Sequence, residues 1–129
     1  YAGIMGMMKY SGLLAVMTGW FVHLADAGSF PMLAFVSASV VNLFVPSGGG
    51  QWAVQGPLLT DAATALGVSH SVTVMALAYG DQLTNMMQPF WALPLLGITG
   101  LKAGEILPYA LKFMLAGFVI FSFVLLLNS

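Results

Sequence analysis

The sequence has no cysteine and no arginine, and little charge of either sign: three lysines and four acids in 129 residues, 5% charged in all. The lack of cysteine excludes disulfides and thiolate metal sites. The lack of arginine removes the planar fork that usually clamps a carboxylate or phosphate. The two histidines, His23 and His70, are too far apart in sequence to form a metal-ligand pair. With a net charge of −1 there is no electrostatic footprint for nucleic acid or for anionic lipid, so nucleic acid is not an expected partner. A soluble domain carries about 25% charged residues. This chain cannot coat a water-facing surface.

What remains is apolar. Hydrophobic residues make up 60% of the chain, nine of them methionine. The class this implies is a multi-pass, all-α membrane protein, with the lipid bilayer as its solvent. The chain opens at Tyr1 with the apolar pattern already under way at Ile4 and no basic segment before it, which reads as a piece of a longer protein entered in or just before a helix.

Four segments follow within one transmembrane unit spanning 1–129. Residues 2–24 are long enough to span, with Lys9 free to snorkel, a small-residue pair at Ala15 and Gly19, and Trp20 and His23 at an interfacial end. Ser29 is expected to cap the next helix, with Pro31 in its first turn. That helix, from Phe30 to Val45, is short for a crossing and stops at Pro46 and three glycines. Such a stop is the mark of a re-entrant hairpin or a broken transmembrane helix. A second short helix follows, starting anywhere from Gln51 to Pro57, with Pro57 favouring the later start, and ending at a Gly67-Val68 stop. Ser69 is expected to cap residues 70–79. A polar interruption is expected at Gly80-Asp81-Gln82-Leu83-Thr84-Asn85, before an apolar half from Met86 to Ile98. The last segment, 105–127, begins with Glu105 in its first turn and is again long enough to span. Three lysines are too few to orient the chain by the positive-inside rule.

The unit around which these segments are arranged is Val45-Pro46-Ser47-Gly48-Gly49-Gly50-Gln51-Trp52-Ala53-Val54-Gln55-Gly56-Pro57. Polar, irregular backbone at membrane depth survives only when buried in protein or lining a wet cavity. Ser47, Gly48, Gly49, Gly50 and Gln51 can offer successive N–H groups, a hydroxyl and an amide to an anion, strengthened by the positive end of a helix that starts there. Such a site binds a carboxylate without a fixed cation. Trp52 and Val54 are available to an apolar tail. Asp81, Gln82, Thr84 and Asn85 bring side-chain oxygens that suit Na+ or the substrate, and a mid-membrane Asp needs a partner, a proton or a cation. The competing reading of Asp81 is a helix cap or a water-facing carboxylate. Asn42 is placed to bond across to a neighbouring helix. Ser47, His70 and Asp81 have no spacing that supports a hydrolase, and no enzyme activity is expected.

The run Asn42–Pro57, with Tyr1-Ala2-Gly3-Ile4-Met5-Gly6-Met7-Met8 and Gly80-Asp81-Gln82-Leu83-Thr84-Asn85-Met86, resembles the bacterial short-chain fatty acid transporter family, which includes acetoacetate and butyrate permeases. The likeness runs over nearly the whole chain. It implies uptake of short monocarboxylates across the cytoplasmic (inner) membrane, coupled to H+ or Na+. It also implies the architecture of the ion transporter superfamily: two spanning helices flanking a re-entrant hairpin (30–66) and a broken helix (70–98), half of an inverted-repeat transporter. The substrate-binding group would be Ser47–Gln51 with Thr84 and Asn85, and the ion- or proton-coupling group Asp81 and Gln82. Such transporters are several times longer than this chain, so the other half of the same protein is an expected partner, and a second copy a further one. The rival readings are an accessory membrane subunit and a passive carboxylate channel.

Overall fold

The computed structural model describes Gly3, Gly6, Met7 and residues 10–128. Lys9 and the start of the first segment at Ala2 lie outside the described residues. Helix α1 spans Leu13–His23, α2 Phe30–Asn42, α3 Gly48–Leu66 and α4 His70–Asn85. A 3-10 turn at Pro89–Ala92 leads to α5, Leu93–Thr99, and then to the long α6, Ala103–Leu127. Among the described residues there is no strand.

The first segment is not one uninterrupted helix. Tyr10 is helical, Ser11 and Gly12 form a turn, and Gly12 has a φ of 75°, a left-handed conformation open mainly to glycine. Past that turn, α1 is only eleven residues long. Helix α6 does form as expected. Its 25 residues reach about 37 Å at 1.5 Å per residue, enough to cross a hydrocarbon core of about 30 Å. It is the single helix among the described residues long and apolar enough to do so. Phe113, Val119, Ile120, Phe123 and Leu127 point away from the rest of the chain. Such a face requires lipid or further protein around it.

Helix ends follow local chemistry. Gly67 takes a φ of 72°, and Val68 N–H reaches back to the Ala63 carbonyl at 2.8 Å, the 6→1 bond of the expected stop. Lys102 N–H donates to Glu105 Oε2 at 2.7 Å at the start of α6. Ser29 does something other than cap α2 directly. Its hydroxyl accepts from Asp26 N–H at 3.0 Å while Asp26 Oδ1 accepts from Ser29 N–H at 2.8 Å, closing the loop on itself. The Ser29 side chain, and next its N–H, hold the Asp26 carboxyl below its usual range. A depressed carboxyl stabilises the fold above its unfolded pKa of about 3.9, and that contribution is lost as pH falls through the lower folded value. Ser29→Ala is expected to return the Asp26 pKa toward the ordinary carboxylate range, as read by NMR titration of its side-chain carbon.

The core is the contact of α2 with α4. Ala34, Phe35 and Ala38 on α2 meet Ala76, Leu77, Gly80 and Leu83 on α4, with Leu59 and Ala63 of α3 closing one side. The backbones approach so closely that a Cβ on Gly80 would stand 2.5 Å from both Ala38 Cβ and the Phe35 carbonyl oxygen. Small residues permit this approach, and dispersion and hydrogen bonding then hold helices that apolar solvent does not drive together. Helix α6 is pinned on by aromatic contacts: Tyr79 stacks on Phe121 with centroids 4.5 Å apart, and Phe35 meets Phe118 and Phe121.

Candidate functional site at the start of α3

Two expectations about the polar stretches change. The glycine run is not an irregular loop before a late helix. Helix α3 begins at Gly48, nine residues before Pro57, which lies inside it. The start is earlier because Ser47, in extended conformation, caps it: Ser47 Oγ accepts from Gly50 N–H at 3.3 Å and the Ser47 carbonyl from Gln51 N–H at 2.7 Å. Nor does α4 break at Gly80–Asn85. It runs through Asn85, and the interruption falls at Met86–Gln88. A single helical glycine costs about 1 kcal/mol, which the packing at Gly80 offsets. Pro89, by contrast, drives Gln88 to extended backbone and cannot donate.

The fold brings the two polar groups together. Gly48, at the first turn of α3, lies against the Asp81 side chain: a Cβ there would be 3.4 Å from Asp81 Oδ2. Of the four N–H groups a helix start leaves without an intrahelical partner, that of Ser47 donates to the Val45 carbonyl at 2.8 Å and that of Gly50 to Ser47 Oγ. Gly48 and Gly49 keep the open donors, both exposed. Asp81 Oδ2 in turn accepts from Asn85 Nδ2 at 3.2 Å. Gln82, Asn85, Met86 and Trp91 line an adjoining cavity of about 350 Å³.

Gln51 engages its side-chain nitrogen within the protein. Its side chain is fully buried and turned to α2, where Nε2 donates to the Ala38 carbonyl and to Gln55 Oε1, both at 2.9 Å. Gln55 continues the ladder to Ser37 Oγ at 2.9 Å. The pair sits one helical turn apart on the α2 side of α3, and burial without these bonds would be costly. They set the angle between α2 and α3 and hold the capped turn in place. Thr84 is likewise structural in its contacts. It is 8% exposed, donates to the Ser39 carbonyl at 3.1 Å and accepts from Asn42 Nδ2 at 2.9 Å.

The residue that sequence reasoning undervalued is Asn42. It does bond across to α4, as its place in an apolar helix suggests, through Nδ2 to the Asp81 carbonyl at 2.8 Å as well as to Thr84. Its own carbonyl accepts from Gln88 Nε2 at 3.2 Å, which ties the break after α4 to the end of α2. Nothing local in the sequence marks Gln88 for this. His70 stands apart: it begins α4, about 16 Å along the axis from Asp81 at 1.5 Å per residue, and its Nε2 bonds Thr64 Oγ1. The geometry keeps it from a triad with Ser47. Among the described residues there is no group of three His, Cys, Asp or Glu side chains suited to a metal.

Against this geometry, comparison with known proteins is decisive. The family model for short chain fatty acid transporters matches residues 1–128. The chain belongs to the short-chain fatty acid transporter family. A protein of Escherichia coli (strain K12), provisionally named a short-chain fatty acid transporter, is 48% identical over 121 residues, 94% of this chain and 28% of that protein. One of Haemophilus influenzae (strain ATCC 51907 / DSM 11121 / KW20 / Rd) with the same provisional name is 49% identical over 111 residues, 86% of this chain and 25% of that protein. A third, from E. coli and provisionally named a basic amino acid antiporter, is 35% identical over 79 residues, 61% of this chain and 13% of that protein. The chain thus spans about a quarter of the length of the two short-chain fatty acid transporters it matches. No solved structure matches it.

Proposed function

We propose that this member of the short-chain fatty acid transporter family supplies the carboxylate- and ion-binding half-site of an inner-membrane, multi-pass secondary transporter for short monocarboxylates such as acetoacetate or butyrate. The observation that carries the reading is the first turn of α3. It presents the open Gly48 and Gly49 N–H groups beside Asp81, in a chain with no arginine to hold an acid. A substrate carboxylate on those amides gains charge-assisted hydrogen bonds and the positive helix end. Its short tail is accommodated by Met86 and Trp91 in the adjoining cavity, with Gln82 and Asn85 at the polar wall.

Coupling follows from charge. Two unit charges about 4 Å apart repel by about 4 kcal/mol at an effective dielectric of about 20. A substrate carboxylate beside an ionised Asp81 therefore needs a proton or a cation to accompany it, which is the requirement for symport. In this reading α2 and α3, with their ends at Ser47, form the re-entrant hairpin, and α4 to α5, parted at Met86–Gln88, the broken helix of one repeat. The rest of the protein supplies the inverted partner.

Gly49→Val tests the carboxylate site. A Cβ at Gly49 meets nothing within 4 Å in this chain, so the variant is expected to fold. Its branched side chain shields the two donors, and loss of one charge-assisted bond, worth about 1.5–3 kcal/mol, lowers butyrate or acetoacetate affinity by about tenfold or more. Equilibrium binding to the full-length protein reads this directly. Unchanged affinity would refute the site, and altered assembly with unchanged affinity would favour an accessory subunit.

A further inference from the structure

We infer that the cleft between α4 and the end of α6 is a binding site for one phospholipid with an amine headgroup. An acyl chain lies between the two helices, and the headgroup sits at the turns beside Asp26. The site is separate from the transport site: Val72 in the cleft stands about 14 Å along α4 from Asp81 at 1.5 Å per residue.

The cleft has two continuous parts. A slot of about 190 Å³ runs between α4 and α6, walled by Val72, Met75 and Tyr79 on one side and Val124 and Leu125 on the other. Past Val72 and Asn128, which line both parts, it opens into a mouth of about 340 Å³ framed by Gly28, Gly67 and Ser69 in the turns before α2 and α4. The slot is preformed. Leu125 is 2% exposed, and the Tyr79 ring is held by its stacking on Phe121.

Position and size decide what fits. Asn128 follows the last residue of α6, and the turns after α1 and α3 lie at the same end, so the mouth is where this spanning helix meets the membrane surface. The slot runs inward from there toward hydrocarbon depth. Hydroxyl, amide and main-chain groups at the surface, with aliphatic walls beneath, follow the gradient of a lipid molecule. A helix is too large: one turn, about 5.4 Å tall and 10 Å across, occupies about 420 Å³, more than twice the slot. A methylene chain one carbon wide enters it. Bilayer and slot are both apolar, so the chain gains no hydrophobic free energy on entry. It gains the dispersion contacts that a void forfeits. Preference among lipids then comes from the headgroup.

Charge at the mouth selects that headgroup. Asp26 Oδ1 lies 3.8 Å from where a Cβ on Gly28 would stand, which puts the carboxylate on the rim. The described lysines, Lys102 and Lys112, sit at the start and in the first half of α6, away from this end. An anionic headgroup would meet a like charge with no lysine beside it. An ammonium pairs with Asp26. The lipid phosphate accepts from the hydroxyls of Ser71 and Ser69, the latter of which, against expectation, makes no capping bond to α4.

The test uses purified full-length protein, delipidated and returned to dioleoyl phosphatidylethanolamine or dioleoyl phosphatidylglycerol. Native mass spectrometry is expected to show one phosphatidylethanolamine retained per chain, and the thermal midpoint to rise more with that lipid than with phosphatidylglycerol. Met75→Trp and Val124→Phe fill the slot from its two walls, and each should weaken phosphatidylethanolamine binding by about tenfold or more. Asp26→Asn should keep phospholipid binding and lose the preference for the amine. Wild-type protein that retains neither lipid overturns the inference whether or not the variants fold; this is the result expected if another segment of the transporter fills the slot. Binding that both slot-filling variants leave intact overturns it as well. So does equal retention of the two lipids by the wild type, or a preference that survives Asp26→Asn.

Discussion

Asp81→Asn in the full-length transporter is expected to abolish uphill accumulation of butyrate or acetoacetate while leaving carboxylate binding intact or tighter. The usual expectation for a site mutation is weaker binding. Here the carboxylate that is removed stands against Gly48, at the turn proposed to hold the substrate anion, so its loss removes a repulsion of about 4 kcal/mol at 4 Å and an effective dielectric of about 20. The ion then has no charge to neutralise, and substrate affinity ceases to depend on it. Asparagine can still accept from Asn85 at the position of Oδ2, so the local hydrogen bond persists. Proteoliposomes with imposed Na+ and proton gradients read the accumulation, and equilibrium binding across pH and Na+ concentration reads the affinity. Retained accumulation with unchanged ion dependence would remove Asp81 from coupling altogether.

Gly80→Val is expected to cost about 3 kcal/mol or more in stability, at the upper end for overpacking. The reason is the approach of α2 to α4: even the first added carbon would sit 2.5 Å from Ala38 Cβ and from a main-chain oxygen, neither of which is the end of a flexible side chain. The helices would have to separate, and with them the Asn42 bonds to Asp81 and Thr84 would lengthen. Loss of monodisperse full-length protein on size exclusion, or a thermal midpoint lowered by many degrees, is the expected readout. Gly49→Val is the control, since open space surrounds Gly49. Equal destabilisation by the two changes would mean that the close approach at Gly80 does not hold the fold together.

Much of this was legible beforehand where the signal is local. The stop at Gly67-Val68, Pro31 in the first turn of α2, and the length of α6 follow from residue chemistry and counting. Local reading failed where two local signals compete. Pro57 looked like a helix start, but the Ser47 cap lies further upstream and α3 runs on through the proline. Gly80 looked like a breaker, but glycine is there for contact and Pro89 is the residue that ends the helix.

By itself the sequence determined the solvent, the helical class, the family and the two polar stretches worth comparing. Those depend on composition, on motif and on interactions within a few residues. Only the tertiary structure decided that Gly48 faces Asp81, that Gln51 turns away into the protein, and that Asn42 and Gln88 join the same polar neighbourhood. These partners lie 33 to 46 positions apart, except for Gln51 and its α2 partner Ala38, which are separated by 13. What sets them opposite one another is the depth to which α2 can sink onto α4, and that is a matter of shape at Ala38 and Gly80 that no local pattern contains.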